Sequence, residues 1–403
     1  MEVRPILSSL MRNGAGALLV AVQIAITLAI VVNAVFLVSQ RIAQVSRPTG
    51  IDEYNMFAMR ISGFGENFNF HTMVREDMEM LRRMPGVVAA TPTNQVPLSG
   101  SGSSSQYFSE PNEKGKHAPV AYYDQDQQGL AALGATLESG NPFTAEAVEY
   151  RLTESQATTK SGQVIVTKRF AEQLFPGENA LGKTIYDNQS QPDKIVGIIG
   201  HMQGAWVGWD DFDNVMLKPL VNRGPGTQYL VRAEPGQIER VMADVELALK
   251  SARKDRVVGE LQRVSEMKER SYSGDTIMVV ILGITTSLVV LFSALGIFGL
   301  ATFNVNTRTR QIGTRRAIGA RRIDIVRYFL VENWLVTTAG VVVGCALALA
   351  AGHWLSSQYG LDRLDLYYLV GGVAGLWAVG QLAAWHPSLK AAKVSPAMAT
   401  RTV

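Results

Sequence analysis

Four stretches of this chain hold no Asp, Glu, Lys, Arg or His over the length of a bilayer crossing: Ala17 to Val38, Ile277 to Phe303, Asn333 to Gly352 and Leu366 to Trp385. A helix needs roughly 20 apolar residues to traverse a hydrocarbon core of about 30 Å, so each run reads as a membrane span. The first exceeds the roughly 7 to 15 apolar residues of a secretory signal, and no convincing A-x-A cleavage site follows it, so it reads as an uncleaved anchor. Ion- and proton-coupled pathways usually place ionisable groups at membrane depth. Their absence from these runs favours an external energy source.

Between the second and third runs lies TRTRQIGTRRAIGARRIDIVRYF, Thr307 to Phe329, with Arg308, Arg310, Arg315, Arg316, Arg321, Arg322 and Arg327 against the single acid Asp324. The positive-inside rule assigns such a loop to the cytoplasm. The expected order is then a cytoplasmic N-terminus (1–16), a span (17–38), an extracytoplasmic domain (39–275), a span (276–303), an inner arginine-rich segment (304–328), a span (329–353), an outer loop (354–365), a span (366–386) and a cytoplasmic tail (387–403). Lys390, Lys393 and Arg401 in the tail agree with that orientation, and the N-terminal charges, with Arg4 and Arg12 matched by Arg41 and Arg47, add little.

The single cysteine, Cys345, lies within the third run, so the outer domain has no disulfide and depends on its own core. At about 230 residues it has enough chain to build one. The net charge of +3 comes largely from the inner segment and tail, which gives no support to a nucleic-acid partner.

The outer segment reads as two strand–helix–strand units flanking an insertion. In the first, at about 54–93, MFAMRIS alternates as a strand, MVREDMEMLRRM has helical spacing, and Pro85-Gly86 stops it before VVAATP. In the second, at about 227–265, QYLVRA is a strand, Pro235 precedes the helical IERVMADVELALKSA, and RVVGELQRV returns. The expected class is a membrane protein with four transmembrane helices and a large α+β extracytoplasmic domain between the first two. The insertion, at about 94–226, opens with SGSGSSSQ (Ser99 to Gln106), read as an exposed loop. It continues through VIVTKRFAEQLFPGENALGKTIYDNQSQPDKIVGIIG, read as strand, short helix, turn and two strands.

GENALGKT, Gly177 to Thr184, formally fits the phosphate-binding pattern G-x-x-x-x-G-K-[ST]. That pattern works when a strand delivers the loop to a helix N-terminus; here helix-like RFAEQLFP precedes it and strand-like TIYDN follows, so it reads as a decoy. The histidines, His71, His117, His201, His353 and His386, have no metal-ligand spacing. Asp210, Asp211 and Asp213 beside Trp206 and Trp209 lack the glycine and distal glutamate of a calcium loop. With no local catalytic signature either, the chain is expected to carry no metal, no cofactor and no enzymatic centre.

Small residues recur at four-residue steps: Ala21, Ala25 and Ala29 in the first span, Gly340, Gly344, Ala348 and Gly352 in the third, Gly371 and Gly375 in the fourth. Such stripes let helix backbones approach closely in lipid, within one chain or between chains. Gln23, Thr27 and Asn33 give the first span a polar side suited to a protein contact. In the inner segment, Gly313, Ala317 and Ala320 share one side of a short helix, with Ile312 and Ile318 nearby and arginines around them. That surface fits docking to an acidic or grooved partner, and it equally fits a loop that sets topology and touches anionic lipid.

RQIGTRRAIGARRIDIVRYFLVEN, Arg310 to Asn333, resembles the segment entering the third span of permeases of the MacB/FtsX type. The tail WHPSLKAAKVSPAMA resembles that family's closing pattern, and LAALGATLESGNPF, VIVTKRFAEQLFPGENALGKTI and KIVGIIG resemble the MacB-like extracytoplasmic core. The resemblance covers most of the chain. It implies a type VII ABC transporter permease in a bacterial inner membrane, working as a dimer with a second permease, the same or a different one. ATP and magnesium would be bound on separate cytoplasmic ATPase subunits, and ATP-driven closure of the spans would be transmitted to the outer domains. It also implies that the coupling helix seated on the ATPase lies within Thr307 to Asp324, which selects Arg308, Arg310, Gln311, Ile312, Gly313, Arg316, Ala317, Ile318, Gly319, Ala320 and Arg322 as docking residues.

Two departures stand out. About 16 residues precede the first span, so the fused ATPase of MacB is expected on another polypeptide, and Gln311 replaces the family's usual acid before Ile-Gly, as pairing with a different permease would allow. The implied activity is efflux of a peptide, antibiotic or amphipathic cargo with a periplasmic adaptor. The alternatives are a lipoprotein-releasing permease and an FtsX-like signalling protein that activates cell-wall hydrolases.

Overall fold

A computed structural model describes residues 14–65, 68–151, 162–222, 227–359 and 362–395. The stretch before residue 14 and the tail beyond residue 395, both assigned above to the cytoplasm, lie outside the described residues. The described residues form two compact units, one from the residues up to 45 and from 275 onward and the other from those between 46 and 274.

Four helices of the first unit are long and apolar enough to cross a membrane: Gly14–Val45, Ser273–Thr307, Arg322–Tyr359 and Leu366–Ala392. Each outruns the uncharged stretch that announces it, because helical hydrogen bonding continues through charged residues such as Arg322, Asp324 and Glu332. The third helix therefore carries a carboxylate that the bounds of its uncharged run leave out.

The first and third helices pack through their small residues. A Cβ on Gly340 would stand 2.6 Å from the Ala21 carbonyl oxygen, and one on Gly344 would stand 3.0 Å from the Ala25 Cα. Ala348 is fully buried. The polar side of the first helix faces protein: Asn33 donates to the carbonyls of Ala29 and Ala348 (2.8 and 3.1 Å), and Gln23 Nε2 donates to Phe292 O at 2.9 Å. The fourth helix uses other glycines than the stripe suggests. Gly371 and Gly375 have no atom within 4 Å of an added Cβ, whereas Gly372 meets Val32 and Gly380 meets Thr337. Gly371 and Gly375 line an apolar groove of about 320 Å³ with Val31, Val35, Val290 and Val379. Among the described residues nothing lies against a Cβ added at either position, because the helix turns its neighbouring row toward the first and third helices.

In the second unit the two strand–helix–strand segments interleave. Strands Met56–Gly63, Val87–Thr93, Gln228–Ala233 and Arg256–Val258 lie in the order fourth, first, third, second, with every pairing antiparallel. That order belongs to a split βαβ sheet, in which each helix crosses over to cover one face. Helices Phe70–Arg82 and Ile238–Ala252 supply Met73, Val74, Leu81, Val241, Val245 and Leu249 to a core completed by Phe57, Met59, Tyr229 and Val231. Asn69 caps the first of these helices by accepting from the Thr72 N–H.

The insertion continues the sheet. Ser104–Glu110 and Lys114–Gln125 form a hairpin, and Val215–Asn222 runs parallel to the latter. The serine run is thus only partly a loop. Ser104, Ser105 and Gln106 pair with Ala121, Val120 and Pro119, since a well-ordered partner strand overrides their weak strand preference. Around GENALGKT, Gly177 (φ +73°) and Gly182 (φ +84°) make turns, Lys183 pairs with Glu178 and stacks on Phe175, and Thr184–Tyr186 follows as a strand. No helix N-terminus receives this loop.

Candidate functional site

The arginine-rich segment folds as a tight reversal at one end of the helix bundle. The second long helix ends at Thr307, Arg308 leaves helical geometry (φ −103°, ψ 16°), and a short helix runs Thr309–Ala317. Gly319 then takes φ +104°, with Gly319 N–H bonded to Arg316 O and Ala320 N–H to Arg315 O. A positive-φ glycine one or two residues past a helix closes its last carbonyls and ends it. Asp324 accepts from the Arg321 N–H at 3.0 Å and opens the third long helix.

Four side chains hold the reversal to the bundle. Ile312 is buried among Val305, Ile325, Val326, Phe329, Ala391 and Ala392. Arg316 donates to the carbonyl of Ala392 at 2.6 Å, and the Arg315 guanidinium lies 4.7 Å from the centre of the Tyr328 ring. Arg308 reaches Glu332 of the third long helix at 3.1 Å, with side chains only 12% and 4% exposed.

The docking residues selected from the sequence therefore separate into two sets. Ile312 and Gly313 are buried, Arg308 is ion-paired, and Arg316 is engaged with the fourth helix. Arg310, Gln311, Ala317, Ile318, Gly319 and Arg322 are exposed, and Ala320 is half-buried. The face expected from Gly313, Ala317 and Ala320 does not form, because the helix stops at Ala317 and Gly313 is covered. Ile318, 83% exposed at the tip of the reversal, is the prominent apolar side chain there. Arg310, Arg321, Arg322 and Arg327 are exposed cations on the elements that flank the tip. An apolar knob flanked by cations can seat in an apolar pocket with acidic edges.

Glu332 was not among the residues read from the sequence. Its partner lies twenty-four positions earlier, across the reversal, so no local spacing announces the pair.

Residues 17–248 match the MacB-like periplasmic core domain, and residues 283–396 match the FtsX-like permease C-terminal region. The chain belongs to the MacB/FtsX-type permeases. This permease is 24% identical over 412 aligned positions to the macrolide export ATP-binding/permease protein MacB of Neisseria gonorrhoeae, covering 98% of this chain and 59% of that protein. It is 25% identical over 256 positions to the pyoverdine export ATP-binding/permease protein PvdT of Pseudomonas putida, covering 61% of this chain and 39% of that protein. The permease thus spans less than two thirds of the length of these curated relatives. Among solved structures, the periplasmic region of MacB from Actinobacillus actinomycetemcomitans is similar over 55% of this chain and 94% of that one, at 17% identity and a TM-score of 0.36.

Proposed function

We propose that this permease is the membrane subunit of an ATP-driven export complex, in which a separate ABC ATPase docks on the reversal around Ile318 and its motion is passed to the MacB-like domain. The exposed Ile318, in a segment whose Arg310, Arg321 and Arg322 are also exposed, is the observation that carries the reading. A partner that pulls on this tip engages a lever fastened by Ile312, Arg308 and Arg316 to three different helices of the bundle. Force applied there reaches the second, third and fourth helices together, as a coupling element requires. The names of the relatives, both export proteins with an ATP-binding part, support a cargo moved outward. In this reading the arginine-rich end faces the cytoplasm of a bacterial inner membrane, the MacB-like domain is extracytoplasmic, a second permease completes a dimer and a periplasmic adaptor receives the cargo. The cargo class is a peptide, an antibiotic or another amphipathic molecule.

Affinity purification of the tagged chain in mild detergent tests this. An ABC ATPase should accompany the parent chain and be lost from Ile318→Glu and Arg310→Glu, whose exposed positions leave the thermal transition unchanged. Well-folded parent chain that captures no ATPase, or variants that retain it, would remove the docking assignment.

A further inference from the structure

We infer that the loop carrying Trp206 and Trp209 is a membrane contact of the MacB-like domain, resting in the headgroup layer of the lipid. This contact is independent of the export reading: it follows from how the loop is tied to the two ends of its own domain.

The loop follows the strand Pro192–Ile199 and precedes Val215–Asn222. It is bonded to the residues through which the domain joins the membrane helices. The first long helix ends at Val45; just beyond it, Arg47 lies 4.1 Å from the centre of the Phe212 ring, His201 Nε2 lies 2.5 Å from Pro48 O, and the Gln203 N–H donates to Thr49 O at 2.9 Å. The second long helix starts at Ser273; just before it, the Tyr272 hydroxyl donates to Gln203 Oε1 at 3.4 Å and the Ser271 hydroxyl to Leu98 O at 2.7 Å. The N–H groups of Leu98 and Gly100 donate in turn to the carbonyls of Gly204 and Ala205. Trp206 therefore follows directly on a segment fastened to both ends of the domain.

Chain continuity bounds the depth of those ends. Ser39 and Tyr368 bring their hydroxyls within 2.6 Å, and Arg41 pairs with Asp275 at 3.1 Å, so polar side chains mark the limit of the apolar bundle just outside Val38 and Ile277. From Ile277 back to Ser273 is at most about 6 Å of helix, and from Val38 to Ser46 about 12 Å. The headgroup layer on each side of the hydrocarbon is roughly 5–8 Å thick. Residues 271–273, and the loop bonded to them, stand at that layer.

The side chains suit it. Trp206 and Trp209 meet edge to face with ring centres 5.6 Å apart, and both are half-buried. With Ser104 they line an open space of about 360 Å³. Both pack on the core that contains Met202 and Val215, and neither indole N–H has a partner among the described residues. An indole with an apolar body and an unused N–H gathers at membrane–water boundaries, where one end meets apolar groups and the other meets polar ones. The charges beside the pair offset one another, Arg47 and Arg169 at the Phe212 ring against Asp210 and Asp211, with Asp213 held by His201. The contact therefore rests on the indoles and does not select anionic lipid.

Fluorescence of the full chain in phosphatidylcholine nanodiscs tests this. The emission removed by the double substitution Trp206→Phe/Trp209→Phe separates the pair from Trp334, Trp354, Trp377 and Trp385 of the membrane helices. A nitroxide on the lipid headgroup should quench that component at least about threefold more than a nitroxide at the acyl-chain end, and more than aqueous iodide does. Exchanging part of the lipid for phosphatidylglycerol should leave this order unchanged. If the double variant loses its thermal transition, Ser104→Cys in a Cys345→Ala background decides, because Ser104 is exposed and lines the same space. A bimane attached there should show the same preference for the headgroup nitroxide. Stronger quenching of either probe by iodide would put the loop in water, facing a soluble partner or none, and would overturn the proposal. Stronger quenching by the acyl-chain nitroxide, or a contact that appears only with phosphatidylglycerol, would also overturn it.

Discussion

Arg308 and Glu332 form an ion pair at 3.1 Å where the short helix meets the third long helix, and both side chains are nearly withdrawn from solvent. Replacing one member of a buried pair leaves the other uncompensated, which typically costs about 3–5 kcal/mol, whereas replacing both with apolar groups is often neutral. Arg308→Met and Glu332→Met should each lower the thermal-unfolding midpoint of the purified chain, and the double substitution should recover most of the loss. Additive losses would show that the two residues do not act as a pair.

The glycines of the third helix give a second expectation. Gly344→Val and Gly340→Val must push the first helix away, because the first added carbon already meets the backbone of Ala25 or Ala21. Overpacking of this kind costs typically about 1–3 kcal/mol, occasionally more. Gly371→Val places its side chain in open space and should leave the stability of the single chain unchanged. Thermal midpoints of the three variants, measured in the same detergent, decide it, and equal destabilisation by all three would contradict the packing described.

Hydropathy and alternation made a good deal of this architecture legible, for local reasons. MFAMRIS repeats every two residues and is the strand Met56–Gly63; IERVMADVELALKSA repeats at helical spacing and is the helix Ile238–Ala252. Where the sequence misleads, the cause is tertiary. The stripe through Gly371 and Gly375 identifies a row of small residues, but the rotation of the helix, set by its neighbours, brings Gly372 and Gly380 to the contacts instead. Ser104 and Ser105 look like linker and become strand because Ala121 and Val120 pair with them. Gly313 looks like part of a docking face, and only the packing of Ile312 against the third and fourth helices shows that this side is covered. Asp124, Arg151, Lys218 and Asn222 are scattered through the insertion and meet only through parallel ladders, a register that no short window of sequence contains.

Asp77 joins the two halves of the split sheet. Its carboxylate accepts from the Tyr229 hydroxyl at 2.7 Å and pairs with Arg256, whose guanidinium also donates to the carbonyl of Leu249. Burial pushes the Asp77 carboxyl up while Arg256 and Tyr229 pull it down, so the carboxylate depends on both partners. Arg256→Met should destabilise the domain by about 3–5 kcal/mol, the scale for one lost member of a buried pair. Tyr229→Phe should cost about 1–3 kcal/mol, as for a lost hydrogen bond to a charged group. Protease susceptibility of the chain at rising temperature checks the order, and a Tyr229→Phe effect equal to that of Arg256→Met would refute it.

His201 gives the pH dependence its sign. Nδ1 lies 2.8 Å from the Asp213 carboxylate and Nε2 lies 2.5 Å from the Pro48 carbonyl oxygen, so both ring nitrogens face acceptors and both are satisfied only in the imidazolium. The hydrogen bond to Asp213 raises the His201 pKa, with the Pro48 carbonyl and the Asp213 charge adding to it and burial opposing. Arg47 and Arg169 lie close over the neighbouring Phe212 ring, which meets His201 edge to face. Because the folded pKa exceeds the unfolded value of about 6.5, this contribution is fully present below that value and is lost as pH rises through the folded pKa. The upward shift of Asp124 acts in a lower window, from the ordinary 3.8 to about 6, so the two are separable. Thermal midpoints of the parent chain should fall as pH rises above about 6.5, and His201→Gln, which cannot gain a proton, should flatten that limb. A fall above about pH 6.5 that survives the substitution would assign the titration to another group.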